Sequence, residues 1–81
     1  MTNRHDIQDD LIVSSYLREL RKSKNVSQES LASLLGESQS VISKYENGQR
    51  KLTAAEFIRI VTILEEDPCK ATEELSRRLG L

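Results

Sequence analysis

The pattern of residues 27–48 constrains the fold of this chain more than any other feature, because it predicts two short helices that meet at a sharp turn. Ser27 is suited to cap the first helix, since its hydroxyl can accept a hydrogen bond from a free backbone N–H group. Leu31 and Leu35 then recur on one face at helical spacing. Gly36 predicts the turn, because a residue just past a helix end often adopts a left-handed conformation that only glycine enters without steric cost.

The second predicted helix spans residues 38–47 and has an apolar side and a polar side. Ser38 can cap its start, and Asn47 lies at its end. Ile42 and Tyr45 recur at helical spacing and predict the buried side. Side chains that can hydrogen-bond to bases occupy the other side: Gln39, Ser40, Ser43 and Lys44.

Five short pieces of sequence together resemble the phage-repressor and Cro-type helix-turn-helix family, which includes the XRE-like transcriptional regulators. These pieces are Ser27-Gln28, Leu31-Ala32, Leu35-Gly36, Ile42-Ser43 and Glu46-Asn47-Gly48. The resemblance covers about residues 17–64 and implies an all-α fold, a compact lambda-repressor-like bundle of five helices. Helices 2 and 3 would form the helix-turn-helix, and the third helix would lie in the DNA major groove with its first residues on base edges.

The resemblance also implies roles for individual side chains in DNA binding. The four polar residues of the third helix are expected to contact bases, because Gln can pair with adenine, Lys with guanine and Ser with several bases. Gln28 is expected to bind a phosphate at the start of the second helix, where free backbone N–H groups suit an anion. The expected phosphate contacts on the far side of the groove are Asn47, Arg50 and Lys51. Three other basic residues either contact phosphates or only aid solubility: Arg18, Lys22 and Lys24.

Arg21 and Glu46 occupy positions where the resemblance implies a partly buried ion pair. Such a pair need not add much net stability, but the loss of one member strands the charge of the other. We therefore expect a structural role: Glu46→Ala should destabilise the fold without changing which DNA sequence is preferred.

The composition is ordinary for one small globular domain, residues 1–81, with 37% apolar and 31% charged residues. No apolar run approaches the roughly 20 residues of a membrane span, and acidic residues stand where a signal peptide would be apolar, so a cytoplasmic location is expected. Residues 1–6 are expected to form a disordered tail. The lone Cys69 has no partner for a disulfide, and only the distant His5 could join it on a metal. We expect no metal, no cofactor and no enzymatic activity.

The formal net charge of −1 is unevenly distributed along the chain. Seven basic and four acidic residues give residues 14–51 a net charge of +3, whereas the segments on either side carry −2 each. A basic middle between acidic ends is expected if one face meets phosphates and the opposite face does not. Small solvated helices also vary in this way by accident, so the charge pattern alone does not identify a DNA-binding protein.

Capping signals predict where the remaining helices begin. The first helix is expected to start near residues 6–9, where acidic side chains suit the positive end of the helix dipole. Thr53 and Glu56 predict a capping box at the fourth helix. Asp67-Pro68 predicts the start of the fifth helix, because proline at the first helical position loses no hydrogen bond.

The fourth and fifth helices carry apolar residues on more than one side, which predicts a contact between two copies of the chain. The expected contact residues are Ile58, Ile63, Leu75, Leu79 and Leu81. Leu75 and Leu79 could instead cover the core of the monomer. A homodimer would place two recognition helices about 34 Å apart, one DNA turn, on a palindromic operator.

Together these features predict a sequence-specific, double-stranded DNA-binding transcriptional regulator, a dimeric repressor that reads its operator through residues 38–47. Three other roles stay open at this point. The chain could be the controller protein of a restriction-modification system, an antitoxin that also binds its own promoter, or a helix-turn-helix module used for protein interaction. The polar and basic groups on and after the third helix argue against the last of these.

Overall fold

The computed structural model describes the backbone of residues 4–81 and the side chains from residue 7 onward. Over this range the chain folds into five α-helices and no strand, which confirms the predicted all-α fold. The helices are α1 (Arg4–Ser23), α2 (Gln28–Leu35), α3 (Gln39–Glu46), α4 (Ala54–Ile63) and α5 (Pro68–Arg78). Within the described residues, no helix combines the length and apolar composition that a membrane span requires.

The polar residues that were predicted to begin four of the helices do so. Ser27, Ser38 and Asp67 each accept a hydrogen bond from a backbone N–H group of the following turn, at 3.0, 3.4 and 2.8 Å. Thr53 and Glu56 form the predicted capping box, in which Thr53 Oγ1 accepts from the Glu56 amide at 3.1 Å and the Thr53 amide donates to Glu56 Oε1 at 2.8 Å. These bonds satisfy N–H groups that the start of a helix otherwise leaves unpaired.

Helix α1 begins at Arg4, earlier than the start near residues 6–9 that the acidic side chains predicted. Acidic residues favour the first turn of a helix, but they do not prevent an earlier start, and no glycine or proline precedes Asp6 to stop the helix. The predicted disordered tail of residues 1–6 therefore overlaps α1 at residues 4–6. Its first three positions, residues 1–3, lie outside the described residues.

One apolar core lies between the helices and positions α2 and α3. Its large, fully buried side chains come from four helices: Leu17 of α1, Leu31 of α2, Ile42 of α3, and Ile60 and Val61 of α4. Burying each of these side chains contributes about 1.5–3 kcal/mol relative to exposure. Packing against this core thus holds α2 and α3 with their polar sides toward the solvent.

Ion pairs at the edge of the bundle link α5 to α1. Arg78 donates to Glu19 of α1 at 2.8 Å and to Glu74, one turn earlier in α5, also at 2.8 Å. Its guanidinium carbon lies 5.0 Å from the centre of the Tyr16 ring. The hydrogen bonds to Glu19 and Glu74 raise the pKa of the Arg78 guanidinium above its ordinary value. Ion pairs at the surface contribute at most about 1 kcal/mol each to stability. The only residue of α5 that is buried is Ala71.

Candidate nucleic-acid interface

The turn between α2 and α3 is set by Gly36, whose φ angle is +72°. The amide of Gly36 donates to the Ser33 carbonyl at 3.2 Å, and the amide of Glu37 donates to the Ala32 carbonyl at 2.9 Å. A Cβ atom at position 36 would meet no heavy atom within 4 Å. The left-handed backbone, and not a lack of space, therefore requires glycine here.

Helix α3 has the buried underside that its sequence predicted. Ile42 is 0% exposed and Tyr45 is 2% exposed. On the opposite side Gln39, Ser40 and Lys44 are exposed, whereas Ser43 is half-buried. Three of the four expected base-contact residues thus lie on the accessible side, and the fourth lies at its edge.

Tyr45 connects the second half of α3 to the start of α4. Its hydroxyl donates to Glu56 Oε2 at 2.6 Å, and the guanidinium carbon of Arg50 lies 5.5 Å from the centre of its ring. Burial and the hydrogen bond to Glu56 raise the pKa of Tyr45 to about 12. Hydrogen bonds from the Thr53 amide and from Tyr45 lower the pKa of Glu56. At neutral pH the pair is therefore a phenol and a carboxylate, and α3 cannot rotate about its axis without breaking their bond.

Arg21 and Glu46 form a buried ion pair between α1 and the end of α3. Arg21 Nε and Nη2 donate to the two carboxylate oxygens of Glu46 at 2.6 and 3.0 Å, and Nη1 donates to the Val26 carbonyl at 2.7 Å. The two side chains are 9% and 1% exposed. The hydrogen bond to Glu46 raises the pKa of the Arg21 guanidinium. Both partners are thus largely shielded from water at the base of α3.

Gln28 makes two contacts that the sequence reasoning missed. Its Nε2 donates to Glu46 Oε1 at 3.0 Å, and its Oε1 accepts from Gln39 Nε2 at 2.8 Å. The side chain was expected on a phosphate, and the structure places it between the ion pair and the first residue of α3. The signal in the sequence was the repeated Ser-Gln pair, at 27–28 and 38–39, which puts a glutamine at the start of both helices.

A family model described as helix-turn-helix matches residues 17–70, a segment that begins in α1, ends in α5 and contains all of α2 and α3. The chain belongs to the Cro/C1-type helix-turn-helix family. As a helix-turn-helix protein of this family it is a DNA-binding regulator. None of the curated proteins compared with it matches its sequence significantly.

Three of the expected phosphate contacts of this helix-turn-helix protein lie at and beyond the end of α3. Asn47 is exposed, and its Nδ2 donates to Ser43 Oγ at 3.3 Å. Arg50 and Lys51 are exposed in the following loop, where Lys51 Nζ lies 3.8 Å from Asp10 Oδ2 of α1. An ion pair at this distance and exposure is weak. Lys51 can therefore exchange Asp10 for another anion.

Two of the five expected dimer residues of the helix-turn-helix protein line one apolar groove. Ile58, which is 50% exposed, and Leu75 line an open apolar groove beside α4 and α5. Ile63 and Leu75 pack partly against the core, Leu79 is half-buried, and Leu81 is 91% exposed. The groove has a volume of about 410 Å³, and its other apolar lining residues are Val13, Leu52, Ala54 and Phe57.

Proposed function

We propose that this helix-turn-helix protein is a dimeric repressor that reads a palindromic operator through α3. The observation that carries the proposal is the orientation of α3, in which Ile42 and Tyr45 are buried while Gln39, Ser40 and Lys44 are exposed. The polar side of α3 lies opposite its buried side and carries hydrogen-bonding groups that can pair with base edges in the major groove.

Within this proposal the contacts divide into two groups with different tasks. Base edges are read by the outer side of α3: Gln39, Ser40, Ser43 and Lys44. Phosphates are bound on both sides of the groove by Gln28, Asn47, Arg50 and Lys51. Phosphate contacts hold the protein in register and make its affinity fall with salt, whereas base contacts determine the preferred sequence.

The proposed dimer uses the apolar groove beside α4 and α5. An exposed Ile58 at the rim of this groove supports the proposal, because an apolar patch on a small domain is often an interaction surface. The domain measures 33 × 26 × 20 Å, so two copies side by side can hold their α3 helices about 34 Å apart. That spacing matches one turn of DNA.

Selection of bound duplexes from a random DNA pool tests the proposal directly. The expected result is a sequence with two-fold symmetry, whose half-sites lie about 10 base pairs apart from centre to centre. Selected sequences without symmetry would contradict the dimer. A protein that binds no duplex even in dilute buffer would contradict the whole proposal.

Two lysines should respond differently to alanine substitution if the division of contacts is right. Lys44→Ala should relax the preference at one base pair by about 1–3 kcal/mol, because one base contact is lost. Lys51→Ala should weaken binding to all sequences alike and reduce the salt slope by about one unit, because one phosphate contact is lost. Titrations of operator and single-base variants at several salt concentrations separate the two. Identical effects of the two substitutions would contradict the assignment.

Ile58→Asp should convert the dimer to a monomer, because it places a charge in the apolar groove that the partner would cover. Light scattering at high micromolar concentration should give about twice the chain mass of 9.2 kDa for the wild type and the single-chain mass for the variant. Leu34→Asp is the matched control, since Leu34 is 64% exposed and lies on α2, away from the groove. A monomeric wild type at this concentration would rule out the proposed dimer.

A further inference from the structure

The loop between α3 and α4 begins in close contact with the first half of α1. Gly48 has a φ angle of +74°, and a Cβ atom at this position would lie 3.2 Å from Leu11 Cδ2 and 3.7 Å from Ser14 Oγ. Glycine thus allows α1 to approach this backbone more closely than a residue with a side chain would. The loop that carries Arg50 and Lys51 is therefore held beside α1.

The two basic residues of this loop make different contacts with the rest of the protein. The guanidinium of Arg50 lies over the ring of Tyr45, 5.5 Å from its centre, a contact that leaves its N–H groups available to a phosphate. Lys51 differs, because its Nζ atom lies 3.8 Å from Asp10 Oδ2. Asp10 therefore faces the same atom that is expected to meet DNA.

Asp10 offers Lys51 the same chemistry as a DNA phosphate does. Both groups present negatively charged oxygen acceptors, and a lysine ammonium is a compact point charge that either of them can pair with. The side chains of Lys51 and Asp10 are 71% and 35% exposed, so water and ions reach the pair. A phosphate that binds Lys51 has to replace Asp10 and then lies close to its negative charge.

We propose that Asp10 competes with DNA phosphate for Lys51 and thereby lowers the affinity of the protein for every duplex. This rests on the proposed function, in which Lys51 contacts a phosphate. Phosphate contacts carry no sequence information, so the ratio of affinities for the operator and for an unrelated duplex stays the same. The first half of α1 thus limits the strength of DNA binding without contacting a base.

Asp10→Asn tests the competition, because it removes the charge and nearly preserves the size of the side chain. Fluorescence anisotropy measures binding to the operator obtained by selection and to a shuffled duplex of the same length. We expect the affinity for both duplexes to rise about two- to fivefold, the range for one surface ion pair. The gain should shrink as the salt concentration rises, because salt screens exposed charges.

Asp9→Asn is the matched control, since it makes the same change of charge at the neighbouring position of α1. Asp9 is exposed, and its side chain leaves the helix about 100° away from that of Asp10. It measures the general effect of one negative charge fewer at this end of α1, and its gain should be smaller. In a Lys51→Ala background the two substitutions should give equal gains, because no lysine is left to compete for. Circular dichroism verifies that each variant is folded.

Each outcome decides the proposal. A gain in Asp10→Asn that is no larger than in Asp9→Asn, or that persists undiminished in Lys51→Ala, overturns the competition and leaves the proposed function standing. Weaker binding by Asp10→Asn also overturns it, since Asp10 would then orient Lys51 toward the phosphate. A changed ratio between the operator and the shuffled duplex does so too. If neither the wild type nor Asp10→Asn binds any duplex of the random pool, the proposed function falls together with the competition.

Discussion

Replacing Glu46 by alanine should lower the free energy of unfolding by about 3–5 kcal/mol, because it leaves the buried charge of Arg21 without its partner. Arg21 is 7% exposed, so water cannot replace the two carboxylate oxygens that accept its hydrogen bonds. Gln28 also loses an acceptor. Urea unfolding followed by circular dichroism measures the effect.

Glu66→Ala is the matched control, because it removes the same carboxylate chemistry from a partly exposed pair. Glu66 lies 3.8 Å from Lys24, and the two side chains are 29% and 33% exposed. Its removal should cost at most about 1 kcal/mol. The combined removal of Arg21 and Glu46 should cost less than the sum of the two single losses, since no charge is then stranded. Equal effects of Glu46→Ala and Glu66→Ala would show that the buried pair does not matter.

Leu31→Ala should cost about 2–5 kcal/mol, because it removes a fully buried side chain and leaves a cavity beneath the helix-turn-helix. Leu31 is 0% exposed on α2 and belongs to the core that also holds Ile42 of α3. The thermal midpoint and the free energy of unfolding should fall together. Binding to DNA at a temperature where the variant is folded should show little change in sequence preference, since no polar side chain of α3 is altered.

Leu34→Ala is a control of the same chemistry on the same helix. Leu34 is 64% exposed, so its truncation removes little buried apolar surface and should change stability by no more than about 0.5 kcal/mol. The contrast between two leucines three residues apart tests which face of α2 meets the core. Comparable losses at both positions would mean that α2 is rotated relative to the structure.

Local signals were sufficient for most of the fold. A hydroxyl or carboxylate at a helix start and a glycine past a helix end act on neighbouring backbone groups, so Ser38, Thr53, Asp67 and Gly36 could be assigned from sequence alone. The start of α1 could not, because nothing before Asp6 stops a helix and the acidic residues only favour a start. Helix boundaries without a cap depend on differences in helix propensity, which are about 0.7 kcal/mol per residue or less for most residue types.

The site was only partly predictable for a different physical reason. The apolar spacing of Ile42 and Tyr45 determines which side of α3 faces outward, and that spacing can be read directly. The contacts of Gln28 depend on how the start of α2 meets the start and end of α3 in space. The sequence shows that a glutamine follows each of two capping serines. It does not show that the side-chain amides of these two glutamines are hydrogen-bonded to each other.

The helix-turn-helix and α5 are attached to the rest of the bundle by different contacts. The helix-turn-helix rests on the fully buried Leu31 and Ile42, whereas α5 has Ala71 as its one buried residue, packs Leu75 partly against the core and is joined to α1 through Arg78 at the surface. We therefore expect local opening of α5 to require less free energy than global unfolding. Duplicated copies of the chain can therefore diverge in α5 while each keeps the arrangement of α2 and α3.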